Sequence, residues 1–341
     1  MKHFPFGAVP VVLGMEGMAL YAGTGRGRIL FVDGDRGSDT GHEGSSPNKA
    51  FKTIQKAIDV ASPGSVIYIF PLAMEATDTD PDSYAETLII PNSKPQLSLI
   101  GIGTGMTQGG VPQIKIGGDS TTAMLDIRAP GCLVKNLGFN GADSTGGGIK
   151  LTDNGTTYVA MGTTITGCHF KNCKCHATHA TVGGAIYATG SPWQVRIQNN
   201  AFYKNLGGIV IVDTSYSVPQ DWVIQGNTFS SSVKTDIDAD IYVAADGCKG
   251  IQIIDNRFAT VDVPTAASGD VGRYISLGAG SNGIVAGNSF ACIVGEGETE
   301  LTFGAAGTGA VIPTTVRIAA DNTGETSTGG ASVDYGMVFR T

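Results

Sequence analysis

The densest chemistry in the sequence lies between Cys168 and His179, in the run Cys168-His169-Phe170-Lys171-Asn172-Cys173-Lys174-Cys175-His176-Ala177-Thr178-His179. It holds three of the six cysteines and three of the five histidines. Thiolate and imidazole at short spacing are ligands for zinc or iron. Cys173, Cys175, His176 and His179 are the candidate ligands, because Cys168 falls at a position that recurs as an inward residue elsewhere in the chain. The spacing fits no standard zinc pattern, so the metal-free reading is preferred. A three-fold axis would be needed to gather copies of His176 or His179 into one site.

Carboxylates cluster twice. Asp236-Ile237-Asp238-Ala239-Asp240-Ile241 alternates with period two, which in a strand puts Asp236, Asp238 and Asp240 on one face. Such a face could bind calcium or supply an acid/base pair. A solvated outer face is the simpler reading, since carboxylates facing water need no special cause. Asp33, Asp35 and Asp39 also suggest calcium, but Gly-rich turns use Asp for local backbone bonds. Trp193 and Trp222, with Tyr187, Tyr203, Tyr216 and Tyr242, could line a sugar-stacking face, although aromatics in strands more often serve the core or a subunit contact.

The elements that must position these residues are short strands in a repeat. An aliphatic-x-x-Asn-x-Phe motif reads Ile197 to Phe202, Ile224 to Phe229, Ile253 to Phe258 and Val285 to Phe290. Ile165 to Phe170 carries Cys168 at the Asn position, and Val134 to Phe139, with Asn136, reads as a variant with one extra residue. A second strand motif sits between copies: Ile149-Lys-Leu151, Ile186-Tyr-Ala188, Ile209-Val-Ile211, Ile241-Tyr-Val243 and Ile275-Ser-Leu277. A period near thirty residues, holding two or three strands of about five residues, closes one turn of a solenoid. The chain is therefore expected to be all-β, a right-handed parallel β-helix spanning 29–295. Ile and Phe at equivalent positions should stack inward, with Asn200, Asn227, Asn256 and Asn288 in one column at a bend. Phe51, Ile54, Ile58 and Ala61 have helical spacing, and Pro63-Gly64 stops the run. That predicts a capping helix near 51–61 over an otherwise bare strand edge. Residues 296–341 lack the motif and read as a terminal cap or subunit contact.

Composition narrows the function classes. The chain has 341 residues, 50 of them Gly, with 15% charged and a net charge of −8. No basic run supplies the footprint that nucleic-acid binding needs. No apolar run reaches the ~18 residues of a membrane span. Pro10, Gly14, Glu16 and Gly17 break the apolar segment 8–22, so it is not read as a signal sequence. Unpaired Cys132, Cys248 and Cys292 beside strand patterns fit small core residues and assembly in a reducing cytoplasm.

The segments Val32-Asp33, Gly37-Ser38-Asp39, Ser46-Pro47, Phe51 to Ile58, Gly64 to Ile69, Tyr84-Ala85-Glu86 and Leu99-Ile100-Gly101 resemble the pectate-lyase-like β-helix superfamily. With the short apolar peptide before them, they more narrowly resemble β-helix virion proteins of tailed bacteriophages. The superfamily resemblance implies either a sugar-acting enzyme or a scaffold. The Asn-Thr-Asp, Asp-Asp, Gly-His-Gly and Arg-Ile-Lys strings of its glycosidases are missing here. The reading that follows is a structural virion protein without enzymatic activity, a capsid decoration or head-fibre protein located in the virion. It would be a homotrimer attached to the major capsid protein through residues 1–28, with no cofactor and with a host surface glycan as a further possible partner. The alternative is a polysaccharide lyase or glycoside hydrolase, free or as a tailspike, acting through Asp236, Asp238 and Asp240.

Overall fold

A computed structural model of the protein describes residues 27–73, 82–103, 110–116, 122–142, 146–173, 184–205, 207–212, 218–230, 239–259, 273–291, 303–304 and 310–325. Three parallel sheets run the length of the molecule. The first has ten strands, from Ile29–Val32 to Val316–Ile318. The second has nine, from Ser83–Tyr84 to Thr323–Glu325. The third also has nine, from Leu88–Ile90 to Ala310–Val311 and Phe303–Gly304. Each coil gives one strand to each sheet and pairs with the coils before and after it. The fold is a right-handed parallel β-helix.

The repeat motif forms the corner between the first and second sheets. Ile165, Ile197, Ile224, Ile253 and Val285 stand in register in the first sheet and are at most 1% exposed. Four residues beyond them the chain enters the second sheet. There Phe139, Phe170, Phe202, Phe229, Phe258 and Phe290 stack nearly parallel, with ring centroids 4.6–5.2 Å apart. Side-chain period two and a fixed coil spacing together force like onto like.

Between these two columns lies the Asn ladder. Asn200 donates from its backbone N–H and Nδ2 to Asn227 Oδ1, both at 3.0 Å. Asn227 does the same to Asn256, Asn256 to Asn288, and Asn288 to Asn322. Each Nδ2 also donates to a carbonyl of the coil below, such as Ile197 O for Asn227 at 2.9 Å. A buried bend would otherwise orphan these backbone groups. Cys168 ends the ladder, its N–H donating to Asn200 Oδ1 at 2.9 Å.

The residue before each ladder position is left-handed, and its side chain alternates in size. Asn136, Gly167, Asn199, Gly226, Asp255 and Gly287 follow one another with φ between 52° and 67°. A Cβ on Gly226 would meet Asn199 Oδ1 at 2.5 Å, so each larger side chain lies over the next glycine. This column also corrects the reading of the first copy. Val134 to Phe139 has no extra residue: it pairs residue for residue with Ile165 to Phe170. Asn136 takes the left-handed position and Leu137, fully buried, takes the ladder position.

The capping helix runs Ile54–Val60 and buries Ile54, Ala57 and Ile58. Thr53 caps it, accepting from Lys56 N. Glu86 reaches back from the next coil, its two oxygens accepting from Ile54 N and Gln55 N at 2.9 Å. Anionic oxygens at a helix N-terminus satisfy free N–H groups and oppose the local positive field. The stack continues past residue 295, although the Asn-x-Phe signature stops. Asn322 carries the ladder on, and Gly324 pairs where a Phe is expected. Residues 1–26 and 326–341 lie outside the described residues, and with them fall most of the segment 1–28 expected to serve attachment and the end of the terminal segment.

Candidate functional site on the third sheet

Two strands of the third sheet, Leu125–Ile127 and Ile149–Thr152, lie side by side with Asp126 in register with Lys150. Leu125, Ile127, Ile149 and Leu151 are fully buried, so the alternating Asp126, Lys150 and Thr152 belong to the outer face. Asp126 is nonetheless only 7% exposed. Its Oδ2 receives Arg128 Nε at 2.8 Å and Nη2 at 2.7 Å, and its Oδ1 receives Thr152 Oγ1 at 2.6 Å. Both carboxylate oxygens are thus held by charge-assisted or short hydrogen bonds, which fix the side chain in one place.

A wound loop then closes one side. Asn154 Oδ1 accepts the backbone N–H groups of Thr156, Thr157 and Tyr158 at 3.2, 2.7 and 2.8 Å. Val159 N bonds Arg128 O at 3.0 Å, and Asn92, two coils earlier, donates to Thr157 O. This loop sets the Tyr158 ring over the Arg128 guanidinium, 5.0 Å from its centroid. Asp153 follows Thr152 directly and is 8% exposed, with Oδ1 accepting Gly155 N at 2.8 Å. Burial raises its carboxyl pKa above the ordinary 3.8, partly offset by that backbone bond. Asp126 and Lys150 are thus neighbours in register on the outer face, and Asp153, whose carboxyl keeps its proton to higher pH, follows at the end of the Lys150 strand with the parity of buried Leu151. Further along the same outer row the chemistry turns apolar. Tyr187, Val210 and Val212 are buried with Ala123, and Tyr242 packs against them.

Sequence reasoning missed Asp126, Arg128 and Asp153. The signal was present as Leu-Asp-Ile-Arg and Ile-Lys-Leu-Thr alternation, since charged residues at outward positions of adjacent coils must be neighbours. The residues it favoured are placed differently. Asp240 does not share a solvated outer face: it is 1% exposed, in the row next to Ile241 where the chain turns the corner from the second to the third sheet. In the same row a Cβ on Gly208 would press on the Phe229 ring at 2.7 Å. The corner breaks the simple alternation from which the outward face was inferred. Asp236 and Asp238 lie outside the described residues.

Cys173 is fully buried, with its N–H donating to Asn205 Oδ1 at 2.9 Å, while Cys175, His176 and His179 lie outside the described residues. Burial drives the Cys132, Cys168 and Cys248 thiols up to about 12. Among the described residues, no group of three or more Cys, His, Asp or Glu is arranged to hold a metal ion.

The N-terminal acids are structural. Asp33 Oδ1 accepts from Asp35 N and Arg36 N, Asp35 Oδ2 from Ala73 N, and Asp39 from Lys52 N, Thr53 N and Thr53 Oγ1. Asp33 and Arg36 line a cavity of about 210 Å³ with Pro47, Asn48 and Phe70. Of the six aromatics, Trp222 is core, its Nε1 donating to Pro192 O at 2.7 Å. Trp193 and Tyr203 are exposed at 41% and 38%, and Tyr216 is outside the described residues.

No protein-family model matches the sequence, and no curated protein matches it. Solved structures do. A lacto-N-biosidase from Eubacterium ramulus is 11% identical with a TM-score of 0.42, covering 88% of this chain and 68% of that one. A rhamnogalacturonan lyase is 13% identical with a TM-score of 0.42, covering 90% and 89%. An alginate lyase from Paenibacillus sp. str. FPU-7 is 11% identical with a TM-score of 0.33, covering 80% and 91%. These neighbours carry enzyme names, and the expectation of a protein without enzymatic activity is corrected accordingly. The resemblance to virion proteins is not shown. At these identities the likeness concerns the fold alone: the chain is a right-handed parallel β-helix.

Proposed function

We propose that the protein is a polysaccharide-acting enzyme that cleaves a glycosidic bond on the outer face of its third sheet. The observation that carries this reading is the pair of carboxyl groups, Asp126 and Asp153, set in contrasting environments on adjoining coils. Asp153, kept protonated to higher pH by burial, donates the proton to the leaving oxygen. Asp126, fixed by Arg128 and Thr152, faces the anomeric carbon, and the water that adds there as the bond to the leaving oxygen breaks gives its proton to the Asp126 carboxylate. Lys150, in register with Asp126, bonds the substrate. The Asn154 loop and Tyr158 keep Arg128 from turning away, so the clamp is set before substrate arrives.

The test is product chemistry. Purified protein is incubated with polygalacturonate, alginate, rhamnogalacturonan and neutral β-glucans, and the new ends are analysed by mass spectrometry. Hydrolysis gives saturated ends carrying the elements of water. Unsaturated ends would overturn Asp153 as proton donor in favour of β-elimination, and intact polymers throughout would overturn the enzyme reading.

A further inference from the structure

The outer face of the second sheet carries a feature that cleavage on the third sheet does not use. Tyr203 is 38% exposed there, and the Lys204 ammonium sits 5.3 Å from its ring centroid. Lys171 is in register with Tyr203 on the coil below, and His169 is two residues before Lys171 on the same outer face. Lys115 lies two coils further down the Lys171 row, and Arg257 lies two coils up from Ala201 in the adjacent row of His169. Lys115, Lys204 and Arg257 are exposed. Among the described outward residues of this sheet between Gln113 and Ser289, none is Asp or Glu. Over these coils a chain of net charge −8 presents a sheet face whose described charged residues are basic, and Glu325 joins that row only in the last strand.

We propose that this face is a second glycan site, which holds an acidic polysaccharide chain along the solenoid axis. A ring flat enough to stack, flanked by ammonium groups, fits a pyranose bearing a carboxylate. The ring meets the sugar's C–H face, and the cations meet the charge. Coils repeat every ~4.8 Å, close to the advance of one sugar along an extended chain, so successive coils meet successive residues. Such a site would keep the protein on its polymer while the third sheet works. It stands on its own observations and does not require the third-sheet chemistry.

The experiment is affinity electrophoresis and calorimetry of the full chain with polygalacturonate, with dextran as the neutral probe. All measurements are made in a Lys150→Ala background, which removes the contribution of the third sheet. Binding to polygalacturonate and not to dextran is expected, weakening as salt rises because the cations are exposed. Tyr203→Ala and the double change Lys171→Ala with Lys204→Ala should each weaken it about tenfold, with unchanged circular dichroism. Arg196→Ala, on the exposed face of the first sheet, should leave it unchanged. The proposal is overturned by no binding, by equal binding to dextran, or by binding that these changes leave intact. Equally tight binding to DNA or to phosphatidylglycerol vesicles, lost in the same variants, would also overturn it by showing a general polyanion surface.

Discussion

Replacing Asn227 by Ala tests whether the ladder holds the coils together. Asn227 is 1% exposed and joins three coils. Its Oδ1 accepts from Asn200 N and Asn200 Nδ2, and its Nδ2 donates to Ile197 O and Asn256 Oδ1. Removing the side chain orphans the Asn200 N–H in a buried bend and takes a partner from three further groups. Each buried group left unsatisfied costs about 1–3 kcal/mol. Some of the three keep other partners: Asn256 Oδ1 still receives Asn227 N, and Asn200 Nδ2 still reaches Ile165 O. The expected loss is therefore about 3–5 kcal/mol. Asn227→Cys is an internal control, because Cys168 already occupies this position one coil below Asn200. It should cost less than Ala, since sulfur fills the space and weakly approaches carbonyls, as Cys168 Sγ does Thr166 O at 3.6 Å. Urea unfolding followed by the fluorescence of buried Trp222 reads the change directly. A loss below about 1 kcal/mol for Asn227→Ala, or a larger loss for Cys than for Ala, would refute the reasoning.

Three further outcomes follow from the same geometry. Phe229→Ala opens a cavity between Phe202 and Phe258 and should cost about 3–5 kcal/mol by urea unfolding. Gly226→Ala places a Cβ 2.5 Å from Asn199 Oδ1 at a φ of +67° and should cost about 1–3 kcal/mol, partly relieved by a second change, Asn199→Gly. Burial holds the His169 pKa below its ordinary 6.5, so the folded state takes up that proton less readily than the unfolded chain. Its contribution to stability is therefore lost as pH falls below 6.5, and His169→Gln should flatten that part of the urea-midpoint profile.

The repeat was legible because it obeys one rule many times: an aliphatic residue, a bend and a Phe at fixed spacing, copied from Ile165 to Phe290. The capping helix was legible from Phe51, Ile54 and Ile58, but its start was not. The first turn at Ile54 is set by Thr53 and by Glu86 from another coil, and no local pattern reveals a cap 32 residues away. The coil around Asn322 was hidden because Gly324 stands where the motif requires Phe. The site was the least legible part. Asp126 is distant in sequence from Lys150 and becomes its neighbour only through the register of the third sheet. Asp236, Asp238 and Asp240 drew attention because they are adjacent in sequence, which in a solenoid says less than being one coil apart.

The central claim is that Asp153 and Asp126 together cleave a glycan, with Asp153 as the proton donor. It is tested most directly by the rate of new reducing ends from the best polymer substrate, measured across pH for wild-type protein, Asp153→Asn and Asp126→Asn. The account predicts that Asp153→Asn lowers the rate about 100-fold or more and removes the alkaline limb of the profile. It predicts that Asp126→Asn lowers the rate at all pH values, with both proteins still fully folded. Wild-type rates retained in both variants would contradict it.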